Sequence, residues 1–574
     1  MKRRSFLRNI SIAAGGTLLL NGIPLKALSG TPKLAHTARL SGNGRALVLL
    51  QLHGGNDGLN TFIPLNQYSE YYNMRPNLAI PDSGNRGYIP LDSTLPDEKQ
   101  LGLHPDMVAL KELYDEGRVA ILQNVGYENV NGSHFKSRDI WFGGGGFDDP
   151  VTGGWIGRYL ELEHAKNQGL DWPTDFPHDG MPDPLGLEFA NEVSLGFHTD
   201  DTVPAGLSIP NPATFLNLVQ ELPGYNEELM SDPRGFPADG IRDTLYGREL
   251  EWILNIEKDT DKYAERLQQA YLAGGNSTVN YPTKYPFSAP GNSRNNPLSA
   301  YLQIIARLLA GGCQTRVFLV RIGGFDTHVN QVTPYDNTMG KHAALLHHVA
   351  SAMRAFQDDL RARGLEDKVL SVTFSEFGRR ALANNSYGSD HGTVAPMMVF
   401  GNRVNPGVIG NNADLNRVQE NNGNLPDGAE DVIDYRTVFN TILQEWFEVD
   451  SSQIPLVLPS LANGSQPGVE DKQLLFSQTI TGTNDFIAGR YKLNTCYPNP
   501  VKTETVFSFR INNSLPVQLS LYDLQGRKLM DVVNKPLPPG DHEYRSDLSH
   551  LPPGTYLYRI CAGPLQDTKK LIKH

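Results

Sequence analysis

Six acidic and imidazole residues are spaced so that they could share one chemistry: Asp57, Asp326, His328, Glu376, Asp390 and His391. Asp57 sits in the run His53-Gly54-Gly55-Asn56-Asp57-Gly58, Asp326 and His328 in Gly323-Gly324-Phe325-Asp326-Thr327-His328, and Glu376 in Ser375-Glu376-Phe377-Gly378. Carboxylates and imidazoles without thiolates suit Zn, Mn, Mg, Ca or Fe(II). The cysteines, Cys313, Cys496 and Cys561, are too few for a disulfide framework or a thiolate zinc site. Two divalent ions ~3.5–4 Å apart would clamp the attacking and leaving oxygens of an in-line displacement at phosphorus. Each residue also has a plainer reading. Asp57 can accept hydrogen bonds in a glycine-rich turn, Asp326-Thr327-His328 can form an Asx-turn, and Glu376 can pair with Arg379 or Arg380. His342, His347 and His348 read as groups on the face of a helix, and His53 as a support behind the ligands. Recurrence at strand ends is what favours the chemistry.

The elements that must position these residues are legible as alternating strands and helices. Apolar runs predict buried strands over 46–52, 119–123, 315–322 and 369–374, with another in the second half of 389–401. Amphipathic spacing predicts helices over 107–117, 298–310, 340–364 and 434–446. Strands alternating with helices over this length mean an α/β fold: a doubly wound, mostly parallel sheet whose carboxyl ends converge on one edge. Ser133 reads as the N-cap of a further helix, its hydroxyl among free backbone N–H groups, a favourable place for an anion. Residues 151–296 are rich in Pro, Gly, Asp and Asn and read as an insertion or lid on the substrate side, with one helix over about 241–272.

The two ends differ from the body. Residues 1–29 hold five Lys/Arg and no acid, 492–574 hold eleven basic and seven acidic residues, and 30–491 hold 35 basic and 56 acidic. The whole-chain charge of −12 argues against nucleic acid as a partner. Lys2-Arg3-Arg4-Ser5-Phe6-Leu7-Arg8, followed by a short apolar run and Ala27-Leu28-Ser29, resembles a twin-arginine export signal. That run is shorter than the ~20 apolar residues a spanning helix needs, so no transmembrane span is expected in the mature chain. From Tyr497-Pro498-Asn499-Pro500 onward, period-two alternation with turns predicts a small antiparallel β-sandwich over 494–574, after a linker at 461–493. YPNP, LYDLQGRK and PPGTYLYRI in that order resemble the C-terminal sorting domain of type IX secretion. The resemblances imply export, to the cell surface or the medium, by the periplasm of a Gram-negative bacterium.

The strings LLQLHGGNDGLNTFIPL, GGFDTH, SEFGRR and DHGTVAPMMVFG resemble the domain-of-unknown-function 1501 family over roughly 45–460. That resemblance implies an alkaline phosphatase/sulfatase-like fold, divalent metal ions and a phosphate or, second, a sulfate ester as substrate, free or polymer-linked. It marks Asp57, Asp326, His328, Glu376 and His391 as metal ligands, with Asp390 beside them, and Ser133 as nucleophile. Asn60, His134, Lys136 and Arg379 become the substrate-binding groups. The chain departs from the superfamily in carrying Glu376-Phe377 where Asp-His is frequent, and in lacking the Cys-x-Pro-x-Arg sequence of ordinary sulfatases. A surface-displayed binding or scaffold protein on the same fold is therefore the competing expectation.

Overall fold

The computed structural model describes residues 19–20, 23–24, 44–150, 152–209, 263, 266–428, 430–463, 491–493, 496–511, 515–523, 527–538, 540–562 and 565–574. Most of the expected export signal (1–29), most of the helix expected over 241–272 and most of the linker lie outside the described residues. Two compact units account for the chain, the second chiefly residues 475–574.

The first unit is built on one sheet. Its strands are β1 (Ala46–His53), β2 (Val119–Gly126), β3 (Gly186–Phe189), β4 (Leu207–Ser208), β5 (Val317–Gly323), β6 (Val369–Phe374), β7 (Ala395–Phe400), β8 (Gly407–Ile409) and β9 (Ile433–Asp434). They lie in the order β8-β2-β7-β6-β1-β5-β3-β4, with β9 also on β2. Every pairing is parallel except the two made by β7, which runs against β6 and β2. Successive residues of β1 and β6 are buried, so both faces of the sheet are covered. Trp141 of α1 (His134–Gly143) stacks on Tyr435 of α5 (Tyr435–Thr441), and Trp155 of α2 (Trp155–His164) on Phe439. Such ring pairs contribute ~0.5–1.5 kcal/mol beyond the area they bury. The helices α3 (Leu298–Ala310) and α4 (Lys341–Ala362) pack on one another.

One expectation is corrected here. Among the described residues of the stretch 151–296, expected as an insertion or lid, part joins the main sheet. It supplies β3, hydrogen-bonded beside β5, and β4 at the sheet edge. A four-residue strand with a buried Glu188 at its third position is too short and too polar to read as an apolar run.

The second unit is an antiparallel sandwich. One sheet holds β10 (Tyr491–Leu493), β11 (Glu504–Ile511) and β14 (Gly540–Asp547). The other holds β12 (Leu515–Tyr522), β13 (Lys528–Leu537), β15 (Gly554–Ala562) and β16 (Leu565–Lys573). Phe507, Phe509, Leu519, Leu521, Tyr558 and Leu571 are among the side chains that fill its core. The alternation in β11, with every second residue buried, is the period-two pattern of the sequence made physical.

Candidate metal centre

Because β1, β2, β5 and β6 are parallel and β7 is reversed, the ends of four strands and the start of the fifth share one edge. The loops there stay paired: Asn56 bridges to Gly378 and Arg379 to His391. The Ser375 hydroxyl ties them further, donating to the Leu52 carbonyl (2.7 Å) and accepting from Asn56 N–H (3.0 Å). Gly54 has φ +122°, and a Cβ there would sit 2.1 Å from the Asp326 backbone nitrogen. Only glycine lets the β1 and β5 loops approach that closely.

Four side chains meet in this edge. His328 Nε2 lies 2.9 Å from His391 Nε2. Asp326 Oδ1 lies 3.3 Å from the first and 3.2 Å from the second. His134 Nε2 approaches Asp326 Oδ2 at 3.6 Å. The outward nitrogens of the rings are already committed. His134 Nδ1 faces Glu376 Oε1 at 2.9 Å, His328 Nδ1 faces Asp390 Oδ1 at 2.8 Å, and His391 Nδ1 faces the Gly132 carbonyl at 2.7 Å. A carboxylate or carbonyl only accepts, so each Nδ1 carries the proton and donates it. In a neutral ring Nε2 is then a bare lone pair, and three Nε2 atoms converge on a carboxylate, although the hydrogen bond to Glu376 and the charge of Asp326 raise the His134 pKa above the ordinary imidazole range. Bare lone pairs packed in this way repel unless a proton or a metal cation lies among them. A proton on His391 is disfavoured, because burial holds its pKa below the ordinary imidazole range despite Gly132 and Asp326. Ligand atoms of His134, Asp326 and His391 lie within 4.8 Å of one another, near enough to share one cation. Imidazole rings fixed by carboxylates and carbonyls behind them are the usual support of such a site.

Glu376 is fully shielded from solvent. Burial alone would raise its pKa, but the hydrogen bond from His134 and the His53 imidazole 3.1 Å away draw it down to about 2. Its Oε1 also accepts from Gly54 N–H at 2.8 Å. Arg379, likewise with no exposed side-chain surface, puts Nη2 3.1 Å from Asp326 Oδ1. Its Nε, Nη1 and Nη2 have no hydrogen-bond partner among the described residues. Burial lowers the Arg379 pKa, against the charges of Asp326 and Asp57.

The expected residues fall into three groups. Asp326, His328 and His391 are brought together. Glu376 and Asp390 are beside them but hold imidazole rings through the hydrogen bonds above. His134, expected at the substrate, turns its Nε2 into the cluster instead. Asp57 and Asn60 stand outside the cluster, although the Asp57 charge still reaches Arg379. Both Asp57 oxygens accept from Arg75 Nη1 (2.8 and 2.7 Å), and Gln331 also donates to Asp57. Asn60 Oδ1 accepts from Arg75 and Tyr71, and its amide donates to the Leu78 carbonyl. Here the Asp57 carboxylate is matched to a buried arginine and the Asn60 amide to its own partners. Asp57 still supports the edge, because Gln331 Oε1 accepts from Thr327 and Ser389, neighbours of the cluster residues. Ser133 is exposed and starts α1, but its side chain makes no capping hydrogen bond. Lys136, half-buried, lies in the first turn of the same helix. The signal for His134 was present: it follows the loop after β2 directly, at the start of a helix, on the edge where the other loops end.

Residues 279–456 match the family described as "Protein of unknown function (DUF1501)", and residues 495–574 match the "Secretion system C-terminal sorting domain". The C-terminal sandwich is thus a sorting domain, and the chain carries an address for export. No curated protein matches the chain. Among solved structures, it is similar to a protein in the alkaline phosphatase superfamily from Vibrio parahaemolyticus, at 10% identity over 89% of this chain and 88% of that one, TM-score 0.29. It is also similar to the PsFucS1 sulfatase from Pseudoalteromonas sp., at 11% identity over 90% and 85%, TM-score 0.32. A third likeness is to a lipoteichoic acid synthase from Listeria monocytogenes, at 8% identity over 65% and 69%, TM-score 0.26.

Proposed function

We propose that this chain is an exported metal-dependent hydrolase of phosphate esters or, second, sulfate esters, with His134, Asp326, His328 and His391 holding a divalent cation. One observation carries the reading: the Nε2 atoms of three rings whose Nδ1 atoms are committed elsewhere lie 3.2–3.6 Å from Asp326 oxygens. Three imidazoles and one carboxylate suit Zn, Mn or Fe(II) better than Mg or Ca, which prefer all-oxygen sites. A cation there would act as a Lewis acid on an ester oxygen.

The other roles belong to the chain. Glu376 and Asp390 hold His134 and His328 in the tautomer that points Nε2 inward. Arg379, buried and with nitrogens unmatched, supplies positive charge beside Asp326 for the oxygens of a phosphoryl or sulfuryl group. Ser133, exposed and uncommitted between Gly132 and His134, is the candidate nucleophile. The assay is direct: full-length protein, tested for metal content and for turnover of aryl phosphates and aryl sulfates with Zn, Mn or Mg. Metal-dependent turnover that disappears in Asp326→Ala supports the reading. A protein that takes up no metal on reconstitution and turns over neither ester is the scaffold instead.

A further inference from the structure

The loop between β2 and α1 carries Ser133 and the Gly132 carbonyl that holds His391, yet no ladder holds the loop. Residues 128–132 make no backbone–backbone hydrogen bond among the described residues, and Glu128, Asn129, Gly132 and Ser133 are exposed. Three polar side chains hold it instead. Tyr127 follows β2 and is 1% exposed, and Ser137, in α1, is fully buried. Ser137 Oγ donates to the Asn131 carbonyl at 2.6 Å, and Tyr127 Oη accepts from Asn131 N–H at 2.9 Å. The two hydroxyls lie 2.5 Å apart. A serine has one hydroxyl proton, and the Asn131 carbonyl uses it, so the tyrosine is the donor of that pair. Both backbone polar groups of Asn131 are thus tied to buried hydroxyls, one at a strand end and one in a helix. Asn131 Oδ1 in turn accepts from Ser133 N–H at 2.8 Å, an Asx-turn around Gly132.

Gly132 matters because the His391 ring has two acceptors to choose between. Its Nδ1 faces the Gly132 carbonyl at 2.7 Å, and its Nε2 faces Asp326 Oδ1 at 3.2 Å. A neutral imidazole has one N–H proton, so it donates to only one of them. With the carbonyl in place, Nδ1 keeps the proton and Nε2 presents its lone pair to the cluster. With the carbonyl turned away, the proton moves to Nε2 and bonds Asp326, and the lone pair faces away from the cluster. Glycine has no side chain to anchor its own peptide, and a Cβ there would meet nothing nearer than His391 Cβ at 4.0 Å. The orientation of the Gly132 carbonyl therefore comes from its neighbours on both sides, Asn131 and Ser133.

We propose that Tyr127, Asn131 and Ser137 form a positioning clamp for His391: they fix the Gly132 carbonyl, which keeps the ring in the tautomer whose Nε2 can ligate a cation. The service to a cation rests on the hydrolase reading above; the hold on the ring does not. None of the three belongs to the cluster, so each acts only through Gly132. Tyr127→Phe removes both the acceptor of Asn131 N–H and the donor to Ser137. Ser137→Ala removes the donor to the Asn131 carbonyl. Either change frees one side of Asn131, and with it the peptide that His391 leans on.

Two measurements on the full chain separate this proposal from the reading it serves. Nitrogen-15 spectra of the histidine rings in the metal-free protein, with His391 assigned from His391→Ala, read the tautomer of each ring. The wild-type His391 should be protonated on Nδ1. In Tyr127→Phe and in Ser137→Ala a population protonated on Nε2 should appear. His134 and His328, held by Glu376 and Asp390, should keep their Nδ1 protons, which a general loosening of the fold would not spare. The two variants cut the clamp from opposite ends, so one that folds suffices. A wild-type ring protonated on Nε2, an unchanged His391 ring in a folded variant, or equal changes in all three rings overturns the clamp. Chelator competition for Zn then tests the cation. If the wild type binds it, both variants should bind roughly tenfold or more weakly, and unchanged affinity in a folded variant also overturns the clamp. If the wild type takes up no metal while the ring spectra behave as stated, the metal reading falls and the clamp on His391 stands.

Discussion

At the scale of single residues, His391 shows how little freedom the cluster has. Its Nδ1 is spent on the Gly132 carbonyl, its Nε2 lies within 3.2 Å of His328 and Asp326, and the rings of His134 and Phe377 flank it. His391→Ala or Asp326→Ala should therefore abolish stoichiometric metal binding, read by elemental analysis after dialysis. Glu376→Gln and Asp390→Asn act through a ring rather than on the ion, and should weaken metal affinity roughly 10–100-fold without eliminating it. Equal losses in all four variants would reject that distinction. Asp57 separates the two accounts of the site most cleanly. With both oxygens on Arg75 and neither side chain more than 1% exposed, Asp57→Asn leaves a buried guanidinium unpaired. It should cost about 3–5 kcal/mol in urea unfolding while the folded fraction keeps its metal. Loss of metal at unchanged stability would return Asp57 to the ligand set.

At the scale of elements, the strand–loop junctions do the positioning, and Gly54 is the tightest of them. Gly54→Ala meets the Asp326 backbone and a φ of +122°, so the turn carrying Asp326 and His328 must move. It should lower both metal occupancy and melting temperature, whereas Gly84→Ala, with open space around it but a positive φ too, should lower only the latter. Most of this architecture is readable in the chain. The strand over 369–374 and the helix over 298–310 agree residue for residue with β6 and α3, because long periodic runs leave few alternatives. The expected helix over 434–446 is α5 followed by a π-helical turn, Ile442–Trp446. What the chain hides is pairing. Nothing local announces that Arg75, 18 residues away, would claim Asp57. Nor does any local pattern mark Glu376 and Asp390 as partners of His134 and His328, since that depends on which loops the sheet brings side by side. The strand β3 escaped notice for a related reason: Glu188 puts a charged residue in a buried position of a strand only four residues long.

At the scale of the whole molecule, three histidines far from solvent set an acid limit. Burial depresses His164 to about 3 and His342 to about 4, and pushes His104 well below the ordinary value. Each binds its proton less readily folded than unfolded. Their contribution is therefore complete above the unfolded value of 6.5 and is lost as pH falls from there toward about 4. The loss is about 1.4 kcal/mol per pH unit for each ring. The urea midpoint should fall between pH 7 and pH 5, before carboxylate protonation adds to the effect; a midpoint constant across that interval would contradict it. Deleting residues 495–574 should leave the chain undelivered to the cell surface or medium, visible by fractionation and immunoblot.

Asp326 and His328 are nearly half open to solvent, at 46% and 43% of their side-chain surface. An ion held by them can be given up or gained by the finished fold, with no element undone. If the cluster holds a metal as proposed, the chain need not secure it in the cytoplasm. On the proposed reading it could travel empty and take its ion from the environment at its destination, so its working state would follow the trace metals available there rather than those of the cell that made it.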